Sequence, residues 1–314
     1  MRRHEDSGHR RGRDPETRVF ARPAQWAVET AVFGRIDPAV TQPGPEGPGK
    51  SSVAIRTVGE LLITAGIVIL LFVFYTLYVT NWTSARQQAE ASAGLEESWS
   101  QQRAPRAELA DGKAFAALYI PSFGADYQFT VVEGVDARSL EIGPGHYPGT
   151  GRPGEPGNFG VAGHRVGKGA PFNDLDLLHA CDAIVIETAT DFFVYRVLPM
   201  AEQVDQWDTL KRQNPKCAQV STLHEPDQPG GGPYGETVGR RIVTPDRGDA
   251  VAPVPYRPND PLAKTEQASL LTLTTCHPQF SDRERMIIHA ILTNQESKSE
   301  GGSYRDLLAK IGEA

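Results

Sequence analysis

The sequence predicts a mainly β domain, an antiparallel barrel with small helices in its connections, tethered to a membrane by one apolar helix. Three observations carry this. Apolar runs between residues 114 and 295 are short and separated by Gly and Pro, which favours strands over helices. Only residues 137–142 and 171–179 have helical patterns there, and both are brief. Ahead of this region lies a charge-free stretch, LLITAGIVILLFVFYTLYV at 61–79, close to the roughly 20 residues a helix needs to cross a bilayer.

Residues 1–57 are rich in Arg, Pro, Gly and acidic side chains with few aliphatics, too little apolar surface to offset the entropy of ordering. They read as a disordered tail. The membrane helix is assigned to 58–80 and is retained, because a cleaved signal peptide has a shorter apolar region nearer the N-terminus and a small-residue cleavage site. Lys50 and Arg56 precede it; Arg86, Arg103 and Arg106 follow, interleaved with Glu90, Glu96 and Glu97, so the local charge bias is weak. The tail is placed in the cytoplasm because a folded region follows a single uncleaved anchor, which would export it. Residues 81–113, rich in Ala, Gln and Glu, read as a partly helical polar stalk that holds the domain off the membrane.

The folded region is assigned to 114–295, long enough for one domain with a core. Strands are expected at 116–120, 129–133, 158–164, 183–188, 192–198, 270–276 and 286–293, with Thr190-Asp191 marking a hairpin. Residues 296–314 form a peripheral tail with a short helical pattern at 304–311 behind Gly301-Gly302. A formal net charge of −7 and the lack of a dense basic patch on the domain argue against a nucleic-acid partner.

Cys276 closes the apolar run that starts at Ser269, and His277-Pro278 follows at once. A thiol at a strand tip suits a nucleophile, held by the strand yet open to a substrate; a small buried core residue is the other reading. His164, in VAGHRVG at 161–167, sits where another apolar strand gives way to a glycine-bearing loop. Of the other histidines, His146 lies in a Gly/Pro loop, His179 ends a short helix, His224 is in a polar insertion, His277 adjoins the cysteine and His289 falls inside a strand. His164 is preferred because a Cys and His pair must come together from distant positions. Arg285 opens the strand after Cys276, and the short link between the two strands implies a hairpin that sets its guanidinium near the thiol. Arg283 shares its face, but Arg285 is nearer the regular strand and better fixed.

TLTTC at 272–276, GHR at 163–165 and an arginine at the head of the following strand together resemble the sortases, membrane-anchored cysteine transpeptidases of Gram-positive bacteria. The likeness is most specific to the class E branch of actinobacteria. TLTTCHPQFSDRERMII at 272–288, IPSFGADY at 120–127 and GPGHYPGTGRPGEPGNFGVAGHR at 143–165 are all similar to that class, in the expected order. The resemblance implies an eight-stranded β-barrel with Cys276 as nucleophile, His164 as acid and base partner and Arg285 as substrate and oxyanion ligand. It implies Tyr127 and Thr275 as substrate-binding residues. The implied reaction cuts a surface protein after the threonine of a C-terminal LPxTG-like signal, LAxTG for class E, forms a thioester, and passes the acyl group to an amine of a lipid-linked cell-wall precursor peptide. No metal or cofactor is implied; Asp174 and Asp176 are too few for a calcium loop.

The chain departs from that pattern at residues 200–240, an insertion holding Trp207, Cys217, His224 and the run Pro229-Gly230-Gly231-Gly232-Pro233. A connection this long without structure of its own is uncommon. It either modifies access to the signal-binding groove or is a tolerated surface excursion. In an exported domain Cys181 and Cys217 either pair across it or remain free thiols, which sequence does not decide. Two other functions stay open: a non-catalytic anchored scaffold that presents sorting signals, and a hydrolase that releases proteins by the same thioester.

Overall fold

In the computed structural model, which describes residues 50–100, 110–259, 262–298 and 302–314, the first described element is one long helix. The expected disordered tail lies, up to residue 49, outside the described residues. The chain divides into Met1–Val58, of which only the opening turns of this helix are described, and Gly59–Ala314. Helix α1 (Lys50–Phe74) passes through a π-helical turn, Tyr75–Val79, into α2 (Thr80–Ser100) with right-handed helical backbone at both junctions. Within it Val53–Phe74 is wholly unburied and long and apolar enough to cross a membrane. Thr64, Thr76 and Thr80 return their hydroxyls to carbonyls one turn back, which satisfies these polar groups within the helix.

The strands are β1 (Ala114–Tyr119), β2 (Gln128–Glu133), β3 (Gly145–His146), β4 (Gly157–Ala162), β5 (Ala183–Glu187), β6 (Asp191–Val197), β7 (Arg240–Val243), β8 (Ser269–His277) and β9 (Glu284–Ser297). Eight of them close a barrel in the order β6, β5, β1, β2, β3, β4, β8, β9 and back to β6. β9 makes closure possible through its length. Its second half pairs with β6, its first half with β7 outside the ring, and its other edge with β8.

Strand alternation builds the core. Phe159 and Val161 of β4, Leu271 and Leu273 of β8, and Met286, Ile288 and Ala290 of β9 face inward together with Leu118, Ile184, Ile186 and Tyr195. Truncating a fully buried leucine such as Leu273 to alanine costs about 2–5 kcal/mol.

Two pairings depart from the antiparallel expectation. β2 runs parallel to β3, and β4 runs parallel to β8. Parallel neighbours need a long crossover, and β4 and β8 are separated by most of the domain. The helix expected at 171–179 is only a 3-10 turn, Leu175–Leu177. Phe172, Leu175 and Leu178 are all fully buried, a spacing of three that matches the 3-10 period and not the α period. The other expected helix is α3 (Ala137–Ile142), capped by the Asp136 carboxylate on the Arg138 and Ser139 amides.

Two peripheral segments pack more closely than their composition suggested. In α2, Gln88 donates to the carbonyls of Thr130 and Ile142 and accepts from the Thr130 amide, while Leu95 is buried against Ala117, Tyr119 and Val194. The segment read as a stalk is thus laid on the barrel from residue 81 to residue 99. After α4 (Trp207–Leu210), α5 (Tyr304–Ile311) completes the same cluster with Leu307 and a Tyr304 ring stacked on Tyr119. The insertion has its own core: Cys181 and Cys217 form a disulfide, and Leu198, Trp207 and Val220 pack around it. Trp207 Nε1 donates to the Val220 carbonyl, so the indole is buried with its polar edge satisfied.

Candidate active site

β4 and β8 run side by side in one direction and end together. Their register pairs Ala162 with Thr274, so His164 reaches the level of Cys276. β9 then starts opposite the end of β8, with Arg285 paired to Cys276. Three residues distant in sequence thereby meet at one rim. Alternation sets them on the outer face: Cys276 follows Leu270, Thr272 and Thr274, and Arg285 precedes Ile287 and His289. Along β8 this face is covered until its end. Residues 270–275 are buried, and at Cys276 and His277 the strand becomes half-exposed.

What covers it is a polar network under a loop. Thr272 Oγ1 donates to Asn158 Oδ1 at 2.8 Å and lies 2.8 Å from His289 Nδ1; the Tyr256 hydroxyl is 2.9 Å from His289 Nε2. Asn158 in turn donates to the carbonyls of Ala250 and Ala252. Burial, with a smaller contribution from Arg241, pushes the His289 pKa down to about 3, so this imidazole is neutral and fully engaged.

The remaining histidines separate on contacts. His146 is buried between Glu133 and the Gly151 carbonyl. His179 is 86% exposed, and Cβ at Gly231 would strike the His224 ring in the insertion. His277 takes an N–H from Arg165 on Nδ1 at 2.9 Å, and an arginine only donates, which fixes the tautomer. His164 alone among them has a buried ring nitrogen, Nε2, without a hydrogen-bond partner. Burial, then the Lys168 ammonium, holds its pKa below the ordinary value, with Glu141 opposing.

The segment carrying His164 is tightly held. Gly163 donates to the Thr274 carbonyl, and the His164 carbonyl accepts from Phe172 N at 3.0 Å. A Cβ on Gly163 would lie 2.4 Å from the fully buried Phe172 ring, so only glycine fits. Thr275 is 3% exposed and spends its hydroxyl on the Gly163 carbonyl at 2.8 Å, a tie between β8 and this segment and not a surface open to a ligand. Tyr127 is half-buried, its hydroxyl bonded to the Pro171 carbonyl and its ring against Phe123 and Phe129; burial raises its pKa. Arg285 folds its Nη1 onto the Asp282 and Glu284 carbonyls at 2.8 and 3.0 Å, whereas Arg283 is exposed beside Ser281.

Sequence reasoning missed Arg165. This side chain is 7% exposed, pairs with Asp176 at 2.9 Å, and reaches the His277 ring and, at 3.5 Å, the Cys276 carbonyl. It joins the strand end that carries His164 to the one that carries Cys276. The signal was an arginine inside GHR, but its partners come from two other segments.

A model of the sortase domain matches residues 118–293. The chain belongs to the sortase family. It is 28% identical over 261 residues to sortase SrtE1 of Streptomyces coelicolor, covering 81% of this chain but only 61% of that protein. Sortase SrtE2 of the same organism is 31% identical over 178 residues, 52% of this chain and 70% of the relative. Among solved structures, the SrtF sortase from Corynebacterium diphtheriae superposes with a TM-score of 0.56 at 42% identity, covering 65% of this chain and 96% of that one. These place the domain in a class E-like branch, and the closed eight-stranded barrel is the sortase fold.

Proposed function

We propose that this chain is a membrane-anchored cysteine transpeptidase that cleaves an LPxTG-like, LAxTG-type C-terminal sorting signal after its threonine and transfers the protein to an amine. The observation that carries the reading is the register of β4, β8 and β9, which brings His164, Cys276 and Arg285 to one half-open rim. Family membership supports it. Cys276, as thiolate, attacks the threonine carbonyl and forms the carbon–sulfur bond as the threonine–glycine bond breaks. His164 Nε2, which has no competing partner, takes the Cys276 thiol proton and hands it to the departing glycine amine; neutral again, it takes one from the incoming amine as that amine forms the new amide and displaces the Cys276 thiolate from the thioester. Arg285 has its Nη1 on two turn carbonyls, and its remaining N–H groups are the donors that meet the oxyanion. Surface proteins bearing such signals are the donors, and a lipid-linked cell-wall precursor peptide supplies the amine. The tail is cytoplasmic and the domain faces outward. The insertion packs on the far end of β8 from the site, where Tyr234 and Val254 meet Leu270 about 20 Å along the strand from Cys276.

The test is the full chain in detergent micelles with an LAxTG peptide and an amine acceptor, with Cys276→Ala alongside and products read by mass spectrometry. A ligated product that vanishes in the variant is expected. Signal binding without cleavage would favour the scaffold reading, and cleavage that no amine diverts would favour hydrolysis.

A further inference from the structure

The long helix leaves the barrel at the site rim. α2 begins beside the loop after His164, where the Asn81 side chain accepts from the Gly169 amide at 3.1 Å and Ser84 lies against Gly169. It ends beside Trp99, whose ring takes the Lys298 ammonium at 4.2 Å, past the far end of β9. The helix therefore descends the barrel from the rim, and the apolar turns of residues 59–79 continue beyond the rim on the side where Cys276 opens.

The distances are short. About 10 Å of helix separates Phe74, the last residue of α1, from Asn81, and the apolar run continues through the π turn to Val79. A headgroup layer is itself about 5–8 Å thick. Tyr75 and Tyr78 are exposed on the turns between and Trp82 just after, as aromatic side chains are at a membrane interface.

The surface of the rim matches. Outside the long helix, the exposed large apolar side chains among the described residues are Phe280 at 77%, Leu177 at 58% and Ile242 at 40%. The first two border the site, whereas Ile242 lies on the other face of the sheet from Cys276 and Arg285. Phe280 is in the β8–β9 turn, Leu177 follows the Asp176 that holds Arg165, and Ile242 pairs with Met286 at the start of β9. Gln279 Nε2 bonds to Asn173 Oδ1, joining that turn to the segment after the His164 loop.

We propose that the site rim is a membrane-contact surface: the bilayer crossed by α1 lies against it, with Phe280 and Leu177 in the headgroup layer beside Cys276. The inference rests on α1 spanning a bilayer and is independent of the chemistry assigned to Cys276. It replaces a domain held off on a stalk with one that works at the lipid surface, where a lipid-linked acceptor and a client still held in the membrane arrive in one plane.

The experiment places tryptophan at the rim of the full chain, Phe280→Trp and separately Leu177→Trp, in phosphatidylcholine vesicles with and without lipids brominated near the carbonyl end of the acyl chains. Both positions are exposed, and an unchanged melting curve confirms the fold. The expected result is that the added emission is blue-shifted and mostly lost in brominated vesicles. Added emission that stays at the wavelength of water-exposed indole, while the native emission containing Trp82 is quenched, would overturn the rim contact alone. Failure of quenching for Trp82 as well would overturn the membrane span, and the proposal with it.

Discussion

Replacing Arg165 with glutamine should uncouple the two strand ends that carry the site. The side chain gives up an ion pair of 2.9 Å to Asp176, a 2.9 Å bond to His277 Nδ1 and a long contact to the Cys276 carbonyl. A hydrogen bond to a charged group contributes about 1.5–3 kcal/mol. Asp176 is 43% exposed, so water takes over much of its share, and the pair counts at the low end of that range. The sum is about 3 kcal/mol, a fall in melting temperature of about 6–12 °C for a domain of this size. Misplacing reacting groups by about 1 Å costs on the order of 100-fold in rate, so kcat for thioester formation should drop by that order with KM little changed. Arg165→Lys keeps the charge but not the fork, and should recover part of the melting temperature and little of kcat. Melting curves and single-turnover rates on the full chain in micelles decide it. A glutamine variant that melts within about 1 °C of the parent, too small a shift for loss of this pair, and acylates at the parent rate would refute the reasoning.

The Cys181–Cys217 bridge closes a loop of 36 residues, and chain-entropy arguments give it about 4 kcal/mol. Replacing both cysteines with alanine should therefore lower the melting temperature by about 8–16 °C, and a shift under about 2 °C would mean that the insertion's core needs no staple. Gly163→Ala forces a methyl into the Phe172 ring, costing about 1–3 kcal/mol and displacing His164; unchanged stability and turnover would contradict that contact. Lys168 lowers the His164 pKa and Glu141 raises it. Lys168→Gln should thus raise that pKa and move the protonated imidazole to higher pH, and Glu141→Gln should lower it, as read by NMR of labelled histidine. No movement in either variant would show that Lys168 and Glu141 do not influence the ring.

The strands were legible because their period is local. Runs such as residues 183–188 and 270–276 carry enough apolar and β-branched side chains to declare themselves, and the register of the last hairpin set Arg285 opposite Cys276. β3 was not legible: Gly145–His146 is too short for any period, in a stretch crowded with Gly and Pro. β7 opens with two arginines, and Arg241 lies over the Tyr256 ring, contributed by another loop. α2 read as a solvated stalk because Gln88 and Ser92, polar in sequence, meet Thr130 of the barrel. The parallel pairing of β4 with β8 is a property of the closed barrel, and with it the meeting of His164 and Cys276 was an inference from chemistry until the topology placed them. Arg165 escaped for the same reason, since Asp176 and His277 are its partners only in three dimensions.

A thioester on Cys276 would be visible as one mass. The full chain, mixed with an LAxTG peptide and quenched in acid, should gain the mass of the peptide through its threonine, with the adduct mapped to the tryptic peptide containing Cys276 and absent from Cys276→Ala. No adduct with any sorting peptide, or an adduct that persists in the alanine variant, would contradict it.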